Sequence, residues 1–173
     1  LLISTYSPTL RKECSSSYHE EIKYYKDLIN SLKENEHLIF ISSITLELTN
    51  KTFYSQAKYE IEKMLTKNCN SYTILRPGMI FDLSKGRYTL SSMEKASKSN
   101  LTFFQDIAKT TICSVHDIYE CIKLVSKDLE NYSGKTINIG INRYTFEGLQ
   151  NVSKNKLFRL PVVPFLILRF FSL

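Results

Sequence analysis

Short apolar runs alternate with helical patterns along the first half of the chain. Residues 1–6, 37–42 and 71–76 are runs rich in Ile and Leu. Between them, apolar side chains recur every three or four positions over residues 18–35 and 54–67. The runs indicate strands buried on both faces, and the spaced positions predict amphipathic helices. This order predicts an α/β fold with a doubly wound parallel sheet.

The pattern weakens after the third run. Residues 83–110 are polar and rich in Lys and Ser, which predicts surface loops and one short helix near residues 91–97. A clear helical stripe follows from His116 to Leu129, and Gly134 then begins a turn into a strand over residues 136–139. A last amphipathic segment is expected at about residues 145–152.

Residues 157–173 form a very apolar tail. It is interrupted by two prolines and two arginines, so its uninterrupted apolar span is too short to cross a bilayer. We expect the tail to pack on the domain or on a partner, and peripheral contact with a membrane surface stays open.

Composition indicates one soluble globular domain. The chain has 173 residues, of which 43% are hydrophobic, enough for a core of useful size. The net charge is +6, but Lys and Arg are spread along the chain, so we expect no nucleic-acid partner. The cysteines lack zinc-site spacing, which predicts reduced thiols in a cytoplasmic protein and no metal site. They are Cys14, Cys69, Cys113 and Cys121.

Three Tyr-x-x-x-Lys motifs occur, although chance alone predicts roughly one at this composition. They are Tyr54/Lys58, Tyr59/Lys63 and Tyr119/Lys123. On a helix this spacing places a phenol beside an ammonium. The ammonium lowers the pKa of the phenol toward the working pH, as a general acid or base requires.

Only the first motif stands at a suitable place in the predicted fold. Tyr54 and Lys58 begin a helix that follows a strand ending at Ser43, and ligands of parallel sheets bind beyond the carboxyl ends of the strands. Ser43 can then donate a hydrogen bond to a substrate oxygen while Tyr54 handles the proton. The structural alternative for Tyr54 and Lys58 is ordinary packing of a helix face, and for Ser43 it is a role in a turn.

Five segments, taken in their order along the chain, resemble the short-chain dehydrogenase/reductases. The resemblance is specifically to the extended NAD-dependent epimerases and dehydratases and their shorter atypical relatives. The resemblance rests on residues 1–6, 37–43, 54–65, 73–81 and 114–118. It implies a Rossmann-like sheet, NAD or NADP as cofactor, and a nucleotide sugar or similar hydroxylated substrate.

The resemblance also implies residue roles. Tyr54 would be the acid/base, Lys58 would bind the nicotinamide ribose and tune Tyr54, and Ser43 would orient the substrate oxygen. Tyr54 and Lys58 would thus also contact the cofactor, and Pro77 and Gly78 would border the nicotinamide.

The family's glycine-rich pyrophosphate turn has no counterpart in this sequence, whose five glycines all follow residue 77. We therefore expect a chain truncated at its N-terminus, with residues 1–82 as the second half of a Rossmann-like NAD(P)-binding domain. Residues 83–173 would form the substrate-side region. After Ser43 the family's Tyr-Gly element is replaced by residues 46–48, Leu-Glu-Leu.

Two functions follow as hypotheses. The first is an NAD(P)-dependent epimerase, dehydratase or reductase with Ser43, Tyr54 and Lys58 as catalytic residues. The second is a non-catalytic or truncated Rossmann-like module with a structural or regulatory role. A homodimer is compatible with either function.

Overall fold

The computed structural model describes residues 1–47, 52–81 and 109–145. Its strands are β1 (Leu2–Ser4), β2 (Leu38–Ile41), β3 (Tyr72–Pro77), β4 (Met79–Phe81), β5 (Lys109–Ser114), β6 (Lys135–Ile139) and β7 (Ile141–Thr145). Its helices are α1 (Pro8–Arg11), α2 (Ser15–Ser31), α3 (Phe53–Asn68), α4 (Val115–Lys127) and α5 (Leu129–Tyr132), with a 3-10 turn at Ile44–Glu47.

The chain divides into two compact units. The first comprises residues 1–78 and 116–139 and contains a four-stranded parallel sheet in the order β1-β2-β3-β6. The second comprises residues 79–115 and 140–173, where β5 pairs parallel with β4 and antiparallel with β7. The predicted α/β class with a parallel sheet is therefore confirmed.

The core of the first unit lies between the sheet and the helices α2 and α3. Alternate residues of β2, Leu38 and Phe40, join Tyr25 of α2 and Ile61 of α3 in one buried cluster. Side chains of a strand alternate between faces, so the fully buried Ile39 lies on the opposite face. Both faces of β2 and β3 are buried, which explains the continuous apolar runs of these two strands.

The structure corrects the expectation of a buried first strand. Leu2 and Ile3 are 38% and 44% exposed, because β1 lies at an edge of the described sheet and pairs only with β2 among the described residues. Helix α2 also ends at Ser31, earlier than predicted, and β5 begins at Lys109 where a loop was expected.

Strand β6 and helix α4 belong largely to the first unit, since β6 pairs with β3. The functional division at residue 82 stays a prediction. The expected helix at 91–97, residues 146–152 of the expected amphipathic segment and the tail at 157–173 lie outside the described residues. Within the described part of the chain, every helix is too short or too polar to cross a membrane.

Candidate active site

Ser43, Tyr54 and Lys58 come together at the carboxyl ends of β2 and β3. Ser43 follows β2 after one intervening residue, and Tyr54 and Lys58 lie in the first turns of α3. Parallel strands present their carboxyl ends at one edge, which is where such sheets bind ligands. The sequence analysis predicted this meeting of the three residues.

The N-terminus of α3 is fixed by a side-chain cap. Thr52 Oγ1 accepts a hydrogen bond of 3.2 Å from the backbone N–H of Ser55, which satisfies one donor of the first turn. Tyr54 and Lys58 then lie one turn apart on one face, and Lys58 Nζ is 5.6 Å from the centroid of the Tyr54 ring.

The Ser43 hydroxyl lies close enough to Tyr54 to influence the pKa of its phenol. Ser43 Oγ also accepts hydrogen bonds from the backbone N–H of Thr45 at 3.2 Å and from its hydroxyl at 2.9 Å. A hydroxyl oxygen has two acceptor positions, so Thr45 leaves the Ser43 proton to be donated. Thr45 thereby prepares Ser43 to donate to an oxygen atom, a contribution that the sequence analysis missed.

Lys58 is almost completely buried, with 2% of its side chain exposed. Its Nζ forms an ion pair of 3.1 Å with Glu21 Oε1 and lies 4.9 Å from the centroid of the Phe40 ring. Burial lowers the pKa of Lys58, and the charge and hydrogen bond of Glu21 oppose that shift. Glu21 is thus part of the immediate environment of the candidate site.

Glu21 is itself fully buried and richly hydrogen-bonded. Ser7 Oγ lies 3.2 Å from each carboxylate oxygen, and Thr9 donates its hydroxyl at 2.5 Å and its backbone N–H at 3.3 Å to Oε2. All these groups donate hydrogens, as an ionised carboxylate requires. The sequence analysis missed Glu21, whose only local signal is a charged residue on the apolar face of α2.

The expected lowering of the Tyr54 pKa by Lys58 is not found. Burial raises the pKa of Tyr54, the hydrogen bond from Ser43 opposes this shift, and the charge of Glu21 adds to it. The main physical reason is burial, which disfavours the charged phenolate, and the nearby Glu21 carboxylate disfavours that charge further.

A second polar cluster anchors α3 to the strand ends. Glu62 accepts hydrogen bonds from Arg76 Nε at 2.9 Å and Nη2 at 2.5 Å, and from Ser42 Oγ at 2.5 Å. These contacts join α3 to the end of β3 and to the residue that follows β2. They hold the helix that carries Tyr54 against the sheet.

Pro77 and Gly78 lie where β3 leaves the sheet. Pro77 is buried, and the backbone N–H of Gly78 donates to the carbonyl of Ile139 at 2.9 Å. The structure therefore places both residues at the same sheet edge as Ser43. Their contact with a nicotinamide stays a prediction.

The other two Tyr-x-x-x-Lys motifs lie on the surface. Lys63 Nζ is 4.3 Å from the ring centroid of Tyr59, which is 37% exposed, and Lys123 Nζ is 5.4 Å from that of Tyr119, which is 56% exposed. Of the three motifs, only the one selected by its context among the strands has a buried lysine, Lys58, and its tyrosine is half-buried.

The histidines and cysteines form no metal site in the described residues. The four cysteines are free thiols. His37 is buried between strands, whereas His19 and His116 are exposed.

Known structures share this fold over most of the chain. The chain is similar in structure to UDP-glucuronic acid 4-epimerase from Bacillus cereus, which was crystallised with UDP-glucuronic acid and NAD, with a TM-score of 0.66, 13% identity and 87% of this chain covered. It is also similar to UDP-glucose 4-epimerase from Thermotoga maritima, with a TM-score of 0.64, 14% identity and 91% covered.

A monomeric L-threonine 3-dehydrogenase from a metagenome has a TM-score of 0.66 at 14% identity over 87% of this chain. The chain matches 57%, 61% and 58% of the lengths of these three proteins, respectively. No protein-family model matches the sequence, and no curated protein matches it significantly. The neighbours confirm the Rossmann-like α/β fold.

Proposed function

We propose that this chain belongs to an NAD(P)-dependent epimerase, dehydratase or reductase that acts on a nucleotide sugar or a similar hydroxylated substrate. The observation that carries the proposal is the meeting of Ser43, Tyr54 and Lys58 at the carboxyl edge of a parallel sheet. The structural neighbours with epimerase and dehydrogenase activity support it.

The side chains present fit a hydroxylated cofactor. The ammonium of Lys58 has three donors and Glu21 accepts one of them, so donors remain for ribose hydroxyls. Lys58 and Tyr54 would hold the ribose, and Pro77 and Gly78 would border the nicotinamide. When bound, the nicotinamide supplies the acceptor or donor of a hydride.

The residues of this chain would manage the proton. In oxidation, Tyr54 must first lose its own proton, and its phenolate oxygen then accepts the proton of the substrate hydroxyl while Ser43 donates a hydrogen bond to the same oxygen. In reduction, Tyr54 returns a proton to the carbonyl oxygen. Because burial raises its pKa, Tyr54 is protonated at neutral pH, which suits the role of general acid in the reductive direction.

Substitution of Tyr54 by Phe tests this function directly. With the protein as its cells make it and UDP-sugars as substrates, Tyr54→Phe is expected to lower kcat by a factor of about 10² to 10⁴, the usual contribution of a general acid or base. Tyr59→Phe is the matched control, since Tyr59 has the same motif on the exposed side of α3. Equal turnover in wild type and Tyr54→Phe would refute the acid/base role.

A non-catalytic module is the second candidate, and one observation favours it. Lys58 is buried and already paired with Glu21, as a structural ion pair would be. Under this alternative, neither NAD nor NADP raises the melting temperature of the protein, whereas a cofactor that binds the folded state must raise it. We place the protein in the cytoplasm under both functions, consistent with its free thiols.

A further inference from the structure

Glu21 is a buried carboxylate to which the proposed mechanism assigns no role. It reaches the candidate site from α2, whereas Tyr54 and Lys58 belong to α3. Its side chain has no exposed surface, and one of its oxygens lies 3.1 Å from Lys58 Nζ. A buried charge is stable only where it is paired and hydrogen-bonded, so each of these two charges depends on the other.

The groups around Lys58 single out Glu21 as its counter-ion. From α2 the titratable neighbours are Glu21 and Tyr25, whose ring centroid is 5.9 Å from Nζ. From α3 they are Tyr54 and Glu62, and β2 presents the uncharged Phe40. Glu62 is already bound by Arg76, which leaves Glu21 as the carboxylate in contact with the ammonium.

The position of Glu21 is fixed from the opposite side. Ser7 and Thr9 hold its carboxylate with donors from the segment that follows β1. Glu21 therefore cannot turn away from Lys58 without leaving several hydrogen-bond donors without a partner. The end of β1 is thus connected to the helix that carries Tyr54, through the hydrogen bonds of Ser7 and Thr9 to Glu21 and the ion pair of Glu21 with Lys58.

The geometry points to Glu21 as a positioning residue of the candidate site, the counter-ion that keeps Lys58 charged and fixed beneath Tyr54. This role rests on the proposed function insofar as Lys58 serves catalysis. By compensating Lys58, Glu21 also weakens the field that would otherwise stabilise a Tyr54 phenolate.

Titration of Lys58 tests the inference without any turnover. In protein labelled with ¹⁵N at the lysine Nζ atoms, the Lys58 signal is assigned from its loss in Lys58→Arg. In Glu21→Gln the acid dissociation constant of Lys58 is expected to rise at least tenfold, because burial then acts without a compensating carboxylate. Glu20→Gln is the matched control, since it removes an equal charge from the adjacent, exposed position.

An unchanged Lys58 titration in Glu21→Gln would overturn the inference. If that variant does not fold, the double variant Glu21→Gln/Lys58→Met decides instead, because it removes both charges. Recovery of a cooperative melting transition in the double variant supports the counter-ion role. Failure of both variants to fold contradicts it, since Glu21 would then act independently of Lys58.

A second readout separates positioning from simple stability. Where turnover is measurable, Glu21→Gln is expected to displace the pH profile of kcat/KM, and Glu21→Asp, which keeps the charge, is expected to restore it. An undisplaced profile would overturn the positioning role. The Tyr54→Phe experiment decides the proposed function separately, because the Lys58 titration requires neither substrate nor cofactor.

Discussion

Lys58 and Lys63 occupy equivalent places in two consecutive motifs of α3, and each has a glutamate partner. The Lys63–Glu60 pair spans 3.6 Å with both side chains well exposed, and such pairs contribute little to stability. The Lys58–Glu21 pair is buried, so loss of either partner leaves an uncompensated charge in the core. Burial, and not the motif, gives the Tyr54/Lys58 pair its chemical interest.

His37 is another residue whose neighbours determine its protonation. Thr73 Oγ1 donates to the carbonyl of Tyr132 at 2.8 Å and therefore accepts from His37 Nε2 at 2.9 Å. His37 Nδ1, 2.7 Å from Ser71 Oγ, is then the acceptor of a neutral imidazole. Burial lowers the pKa of His37, which agrees with this neutral form.

We predict that His37 makes the fold sensitive to acid. The unfolded chain binds a proton below a pKa of about 6.5, while folded His37 does not until a lower pH, so stability falls as the pH drops below about 6.5. The slope from one such group is at most about 1.4 kcal/mol per pH unit. When the free energy of unfolding is measured in urea at pH values between 5 and 8, its slope against pH should be smaller for His37→Gln than for wild type.

The exposed His116 offers the control for this measurement. His116→Gln is expected to keep the wild-type slope. Identical slopes for wild type and His37→Gln would show that His37 is not the group responsible.

Helix α3 is the element that brings the candidate residues together. Its start at Thr52 sets where Tyr54 and Lys58 face, and its buried side chains, among them Ile61 and Leu65, hold it on the sheet. The apolar spacing of these residues follows from the helical period, which is why the sequence predicts this helix almost to its ends.

Thr52→Ala is expected to destabilise the protein by about 1 kcal/mol, because the N–H of Ser55 loses its side-chain acceptor. Chemical denaturation measures the loss, and hydrogen exchange should show faster opening of the first turn. Thr66→Ala is the control within the same helix, since the Thr66 hydroxyl donates only to the Glu62 carbonyl, which is a backbone atom of the helix. Equal effects of the two substitutions would argue against a specific capping role.

On the scale of the whole molecule, separate elements are joined by polar clusters as well as by the apolar core. Glu21 links α2 to α3, Glu62 links α3 to the ends of β2 and β3, and His37 links β2 to β3. Among the described residues, every buried side-chain nitrogen or oxygen has a hydrogen-bond partner. Such completed networks favour one arrangement of the elements over others.

The Glu62–Arg76 pair provides a test of this coupling. Arg76→Met is expected to cost about 2 to 3 kcal/mol, below the full value for a buried pair because Arg76 is one quarter exposed. The double variant Glu62→Gln/Arg76→Met should recover much of that loss, since no unpaired charge remains. Denaturation of both variants measures the coupling.

Lys123→Met serves as the surface comparison, because its ion pair with Glu120 is exposed. It should change the free energy of unfolding by less than about 0.5 kcal/mol. If Arg76→Met lowers the free energy of unfolding by no more than Lys123→Met does, the Glu62 cluster does not join the elements energetically.

The amino-acid sequence by itself determined the order β1, α2, β2, α3 and β3 and the pairing of Tyr54 with Lys58, because both depend on local periodicity. It also singled out the motif whose lysine the structure buries, since strand order predicts which residues reach the carboxyl edge. The tertiary structure alone decided that β1 lies at an exposed edge of the described sheet and that Glu21 meets Lys58. It also decided the direction of the Tyr54 pKa. These properties depend on burial and on charges brought together from distant parts of the chain, which no local pattern encodes.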